Sequence, residues 1–315
     1  MSGFKPTILM TGAYPAWDME ALERDYTVLK LHEAEDADVL IGRNALSIRA
    51  VATRGDLGAA AALMAQLPNL EIVSVFGVGT DAVDTEYAGK RGIRVTNTPD
   101  VLTDDVADLG VALLLAAARQ VPQGDALVRS GSWPKGGLPL VTKVSGKKVG
   151  VVGMGRIGAS VAKRLSGFDC EISYFARSEK EGSPFRFVPD LLALARDSEF
   201  LIVTLSGGAS TKNMINAEVL EALGPDGILV NVSRGTTVDE PALIAALQNK
   251  TIKAAGLDVF WNEPSINPAF FTLGNAVLQP HHASGTVETR KAMGQLVRDN
   301  LAAHFAGKPL ITPVA

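Results

Sequence analysis

Three side chains capable of anion binding or proton transfer stand at equivalent places along the chain. Arg234 follows the apolar run 227–232, Glu263 follows 254–259, and His281 follows 276–279. Each run reads as a β-strand, so each group lies just past a strand's carboxyl end, where ligands sit in open α/β sheets. A guanidinium presents a planar fork of donors to a carboxylate. An imidazole is the side chain that titrates near neutrality and can deliver a proton. A carboxylate next to an imidazole favours its charged form and aims it. Together these groups suit hydride reduction of a carbonyl beside a carboxylate. Arg234 would hold the acid and polarise the carbonyl, His281 would give the proton, and Glu263 would keep the donor charged. Singly, each has a plain alternative: a loop charge, a turn cap, a satisfied core histidine. His281 and His282 are adjacent in a segment read as extended, where neighbours face opposite ways. No other Cys/His cluster supports a site, so no metal is expected.

A hydride needs a carrier, and residues 148–178 are built for one. A strand at 149–152 runs into Gly153-Met154-Gly155-Arg156-Ile157-Gly158. A helix follows with Ile157, Val161, Ala162 and Leu165 on one face, then a strand at 171–175. A βαβ unit opening on G-x-G-x-x-G is the arrangement that binds a dinucleotide. Gly153 permits the tight turn, Gly155 lets backbone approach a pyrophosphate, and Gly158 lets the helix lie close to the sheet. The alternative is a structural turn in another doubly wound protein. After the second strand comes Ala176-Arg177-Ser178, with Lys180 beyond. An acid there would bind a ribose 2′-OH and favour NAD. Arg177 can instead pair with a 2′-phosphate and Ser178 can donate to it. NADP(H) is therefore the expected cofactor, with NAD(H) weaker; the alternative leaves Arg177 a solvated charge.

The elements that must position these groups fill two domains' worth of chain. The sequence has 315 residues and a formal net charge of −4. That balance gives no reason to expect nucleic acid or an anionic membrane as partner. One cysteine, Cys170, excludes an internal disulfide and fits a reducing, cytoplasmic setting; it is read as a small buried residue within a strand. Residues 1–6 show no signal-peptide pattern. The apolar run 106–118 contains Asp108 and is too short for a bilayer. Strands at 7–11, 26–31, 38–41, 71–76 and 93–96 and helices at 17–25 and 59–66 predict a parallel sheet covered on both faces. The turn Phe76-Gly77-Val78-Gly79-Thr80-Asp81 is either an anion cradle or a plain strand-to-helix turn. Residues 97–100 read as a hinge. The helix 104–120 is apolar nearly all round, so it is buried on more than one side, against the core or a second subunit. Residues 131–137 are an irregular loop with Trp133 exposed. Helices at 191–197, 241–249 and 287–305 and a strand at 200–204 complete the pattern.

At these residues the chain closely resembles the D-isomer-specific 2-hydroxyacid dehydrogenase family. The matching motifs are Gly77-Val78-Gly79-Thr80-Asp81 with Asp84, the glycine turn, Val230-Asn231-Val232-Ser233-Arg234-Gly235 with Val238-Asp239-Glu240, Leu257-Asp258-Val259-Phe260 with Glu263-Pro264, and Pro280-His281. Within the family it looks most like the glyoxylate/hydroxypyruvate and hydroxyphenylpyruvate reductases. The resemblance implies an α/β architecture of two doubly wound parallel-sheet domains with a cleft between them. A flavodoxin-like substrate domain would comprise 1–97 and 286–315, and a Rossmann NADP(H) domain 98–285. It implies Arg234, Glu263 and His281 as the catalytic triad, with the carboxylate bound by Arg234 and the backbone of Val78 and Gly79. Asp258 would bond the nicotinamide amide, with Thr103, Val232 and Ser233 also at the cofactor. It implies a 2-oxo or 2-hydroxy acid substrate and a homodimer built on the cofactor domain. Three departures stand out: Arg177 in place of the common acid, Ala283 in place of a glycine, and Ser206-Gly207-Gly208 in place of a proline turn. The sequence ends without the extra domain of long allosteric phosphoglycerate dehydrogenases. An aryl-pyruvate reductase and a non-catalytic, dinucleotide-sensing corepressor-like scaffold are the competing readings.

Overall fold

The computed structural model describes residues 5–314; residues 1–4 and 315, at the ends of the expected substrate domain, and the start of the stretch searched for a signal peptide lie outside them. The chain divides into two compact units, 1–102 with 285–315 and 103–284. In the first, β1 (Thr7–Met10), α1 (Ala16–Asp25), β2 (Thr27–Lys30), α2 (Ala37–Asn44), β3 (Ile48–Arg54), α3 (Ala61–Ala65), β4 (Ile72–Phe76), α4 (Thr85–Lys90) and β5 (Arg94–Thr96) alternate. Their strands form a parallel five-stranded sheet of order β2-β1-β3-β4-β5. That is the flavodoxin-like order. On one of its faces the core packs Leu9, Val51, Val73 and Val75 against Met64 and Leu67.

Two elements here differ from the sequence reading. Residues 38–41, expected as a strand, lie in α2, whose first turn is capped by Asp36 accepting from the Val39 N–H at 3.0 Å. A short apolar run cannot be told from a buried helix segment by periodicity, and the cap was the discriminating signal. The missing strand is β3, between β1 and β4 in the sheet. Ala50 and Ala52 give it low strand propensity, yet both are fully buried. Asp36→Ala is expected to destabilise the protein by about 1 kcal/mol, the usual worth of an N-cap, read as a lower denaturant midpoint; an unchanged midpoint would show that the cap contributes nothing.

The second unit opens with α5 (Thr103–Arg119) and α6 (Val121–Arg129). It continues through β6 (Lys148–Val152), α7 (Arg156–Ser166), β7 (Glu171–Phe175), β8 (Arg186–Phe187), α8 (Leu191–Arg196), β9 (Phe200–Val203), α9 (Ala217–Leu223), β10 (Ile228–Asn231), α10 (Glu240–Gln248), β11 (Ala254–Leu257) and β12 (Ala276–Leu278). All pairings are parallel and the order is β12-β11-β10-β9-β6-β7-β8. This is the Rossmann order with one further strand. Strands β9, β10 and β11 are buried along their whole length, as central strands covered on both faces must be. The helices α6 and α9 and the two-residue β8 are elements that the sequence reading did not assign.

The long apolar helix is α5, and its inward face explains its composition. Val106, Ala107, Gly110, Val111, Leu113, Leu114, Ala117 and Ala118 are buried. It lies so close to the sheet that a Cβ on Gly256 would come within 2.9 Å of the Leu113 side chain. Arg164 of α7 ties it laterally, pairing with Asp104 at 3.0 Å and also with Asp108. Cys170 sits one residue before β7, not within a strand, and is only partly buried.

The chain returns to the first unit as α11 (Val287–Phe305). Arg298 pairs with the fully buried Asp18 of α1. Gly294 makes room for that carboxylate, since a Cβ there would lie 2.1 Å from it. Asn300 accepts from the backbone N–H groups of Ile311 and Thr312 at 2.9 and 3.1 Å and holds the tail beside β5. No helix of the described residues is long and apolar enough to cross a membrane.

Candidate active site

The glycine turn has the geometry each glycine was expected to serve. Gly153 has φ 102°, a left-handed value that L side chains rarely adopt. A Cβ on Gly158 would lie 2.0 Å from the Gly153 carbonyl oxygen, whereas one on Gly155 would meet nothing within 4 Å. The turn is therefore packed on its inner side and open where a pyrophosphate would approach. Thr204, just after β9, donates from Oγ1 to the Gly153 carbonyl at 2.6 Å and locks the turn. No side chain caps α7, so its first-turn N–H groups remain for an anion. Met154 and Gly158 are buried, Ile157 is half-buried, and Gly155 and Arg156 are exposed. Beyond β7, Ala176 is half-buried while Arg177 and Ser178 are exposed, and Arg177 makes no ion pair among the described residues. The loop's shape is set by the Lys180 N–H donating to the Tyr174 hydroxyl at 2.7 Å. These residues fit a dinucleotide with a charged group at the adenosine end.

Arg234, Glu263 and His281 follow β10, β11 and β12, three strands adjacent in the sheet. The direct contact is between Glu263 Oε2 and His281 Nδ1, at 2.5 Å. Glu263 Oε1 accepts the Phe260 N–H at 2.7 Å, which fixes the carboxylate's orientation. With Glu263 ionised, Nδ1 must be the donor, so Nε2 is the ring nitrogen turned away from the pair. The His281 side chain is 36% exposed, enough to be reached by a ligand. The residue itself has φ 50°. It is therefore left-handed and not part of an extended segment, so strand alternation does not set His282 opposite it. A carbonyl pair sets the bend instead: the His281 N–H donates to Asp258 at 2.8 Å and Gln279 at 3.1 Å. Among the described residues no group of three or more His, Cys, Asp or Glu is placed to hold a metal.

Asp258 is almost fully buried and accepts from the N–H groups of His282 (2.7 Å) and Ala283 (3.0 Å). Burial pushes its carboxyl above the ordinary range, opposed by those two bonds. Val232 and Ser233 are buried beneath the Arg234 turn and Thr103 is half-buried at the start of α5. The Arg234 turn is held by Asn231, which lies within the motif, and by Thr237, which the motif does not include. Asn231 Nδ2 donates to the Arg234 carbonyl at 3.0 Å, and Thr237 Oγ1 donates to the same oxygen at 2.7 Å. Arg234 Nη1 donates to the Ser233 carbonyl at 2.8 Å. An Asn at a strand end and a Thr three residues past the arginine are common turn residues, which is the signal that could have found them.

In the first unit, Val78 and Gly79 follow β4. Thr98 accepts the Gly77 N–H at 3.0 Å and Asn97 Nδ2 donates to the Val78 carbonyl at 2.8 Å. The N–H groups of Val78 and Gly79 have no partner among the described residues, as an anion cradle requires.

A Rossmann sheet with an open glycine turn, and an arginine and an acid–base pair on one strand edge, define an NAD(P)-dependent dehydrogenase. The chain belongs to the D-isomer specific 2-hydroxyacid dehydrogenase family: the model of that family's NAD binding domain matches residues 111–283. Over 310 residues the chain is 48% identical to a 2-ketogluconate reductase of Gluconobacter oxydans, covering 98% of this chain and 99% of that one. Over 268 residues it is 52% identical to a hydroxyphenylpyruvate reductase of Plectranthus scutellarioides, covering 85% and 86%. The crystal structure of an NADPH-dependent glyoxylate/hydroxypyruvate reductase from Sinorhizobium meliloti, in complex with NADP and malonate, superposes with a TM-score of 0.93 at 44% identity, covering 99% and 97%. These similarities place the chain in the glyoxylate/hydroxypyruvate reductase branch.

Proposed function

We propose that the protein reduces small 2-oxo acids to D-2-hydroxy acids with NADPH, glyoxylate and hydroxypyruvate being the leading substrates. The observation that carries this reading is the Glu263–His281 pair, at 2.5 Å, on the same strand edge as Arg234. The glycine turn and the start of α7 would hold the pyrophosphate, Arg177 and Ser178 the 2′-phosphate, and Asp258, Thr103, Val232 and Ser233 the nicotinamide end. A bound nicotinamide cofactor supplies the hydride that reaches C2. Arg234 binds the substrate carboxylate together with the free N–H groups of Val78 and Gly79, and its remaining donors polarise the C2 carbonyl. His281 gives the proton at Nε2 to the developing alkoxide, while Glu263 holds Nδ1–H and compensates the ring's charge. In this reading residues 98–285 form the cofactor domain and 1–97 with 286–315 the substrate domain. The protein acts as a homodimer through the former, whose exposed Val121, Val128, Trp133 and Leu140 suit a subunit contact.

The Plectranthus relative favours a second substrate class, aryl pyruvates, and the Gluconobacter relative adds 2-ketogluconate. Steady-state assays with glyoxylate, hydroxypyruvate, hydroxyphenylpyruvate and 2-ketogluconate, each with NADPH and NADH, test the reading. The expected result is highest kcat/KM with NADPH and one of the two small acids. No turnover of any 2-oxo acid would overturn the function, and would leave the corepressor-like scaffold as the alternative.

A further inference from the structure

The loops after β10 and β11 carry Arg234 and Glu263, and a chain of contacts binds them to each other. Trp261 is its centre. Its indole Nε1–H lies 3.1 Å from both the Gly235 and the Val238 carbonyl oxygens, on either side of the turn that follows Arg234. Its backbone N–H donates to Glu240 Oε2 at 2.8 Å. Glu240 opens α10, directly after the cap residue Asp239. It is only 6% exposed, and burial pushes its carboxyl upward.

On the other side of Trp261, the neighbouring Phe260 N–H is the donor that orients Glu263. The two loops also touch through backbone. A Cβ on Gly235 would lie 2.1 Å from the Phe260 carbonyl carbon and oxygen. Glu240, Trp261, Phe260, Glu263 and His281 thus form one continuous series of hydrogen bonds and chain links. A buried acid accepting a single backbone N–H is costly to keep. Its place is explained if the loop it anchors must hold Glu263 in a fixed position relative to Arg234.

We propose that Glu240 and Trp261 are positioning residues that lock the Arg234 and Glu263 loops in register, so that proton transfer depends on them although neither is placed at the reacting atoms. The inference rests on the reductase reading above and adds two residues to it. Misplacement of reacting groups by an ångström costs rate far more than it costs cofactor affinity. Trp261→Phe removes the indole N–H with the five-membered part of the ring, and keeps a smaller aromatic ring and the backbone donor. Glu240→Gln keeps an acceptor for the Trp261 N–H, whereas Glu240→Ala removes it.

The experiment measures kcat and both KM values of these three variants beside the wild-type protein, with thermal melts for folding. Trp261→Phe and Glu240→Ala are expected to lower kcat about 10- to 100-fold with KM for NADPH unchanged, and Glu240→Gln to retain most of kcat. Should Glu240→Ala not fold, Trp261→Phe and Glu240→Gln carry the test. Wild-type kcat in Trp261→Phe would overturn the inference, as would a loss confined to the melting temperature, or a Glu240→Gln as slow as Trp261→Phe. A wild-type protein inactive on every 2-oxo acid would overturn the reductase reading as well, and is told apart because it needs no variant.

Discussion

His281→Ala is expected to lower kcat by about 10²- to 10⁴-fold, the range supplied by a positioned general acid, while NADPH binding stays near that of the wild type. The ring is partly exposed and is held by a carboxylate at 2.5 Å. Removing it deletes the proton source for the alkoxide but touches none of the residues proposed to hold the cofactor phosphates. The backbone conformation provides a control. Because residue 281 has φ 50°, His281→Asn tolerates the left-handed bend better than alanine does, and it offers no acid. Both variants should therefore be slow, and the asparagine variant should melt at the higher temperature. Fluorescence titration with NADPH separates binding from turnover. Activity surviving in both variants would assign the proton to another donor, with His282 or water the first to be tested.

Arg177→Asp is expected to change the NADPH-to-NADH preference by about 100-fold or more. A hydrogen bond to a charged group contributes roughly 1.5–3 kcal/mol, and each 1.4 kcal/mol is tenfold. The substitution removes such a bond to the 2′-phosphate, sets a carboxylate against it, and provides an acceptor for the ribose 2′-OH of NADH. Arg177 is exposed and makes no ion pair among the described residues, so its loss disturbs no internal contact and the melting temperature should hold. Exposure also means screening by salt. The wild-type preference for NADPH should therefore shrink as ionic strength rises, and the variant's should respond less. An unchanged cofactor ratio would show that Arg177 does not read the 2′-phosphate.

The fold's framework was legible because its signals are local. The strand–turn–helix of 148–166 carries its glycines at fixed spacing, and the structure gives each the predicted environment: left-handed at Gly153, open at Gly155, pressed on backbone at Gly158. The last helix was readable to its ends, because Thr286 caps it and Gly307 follows it. Where two assignments of a short apolar run compete, local pattern fails. Residues 38–41 became helix and the alanine-rich β3 became a central strand, because a sheet's interior accepts small residues that no propensity scale favours.

The sequence by itself determined which chemical groups the protein deploys and where along the chain they fall: an arginine, an acid and a histidine after three strands, a glycine turn, and a cation where an acid is usual. Those are statements of residue type and spacing, which the chain states directly. Only the tertiary structure decided how the groups are held. It turned His281 out of an extended path, set both oxygens of Glu263 on fixed donors, and gave Asn231, Thr237, Glu240 and Trp261 their positions around the two loops. Such contacts join residues from separate strands, and their geometry depends on how closely neighbouring backbones pack, as at Gly235 against Phe260. Spacing within a single segment carries no record of that distance.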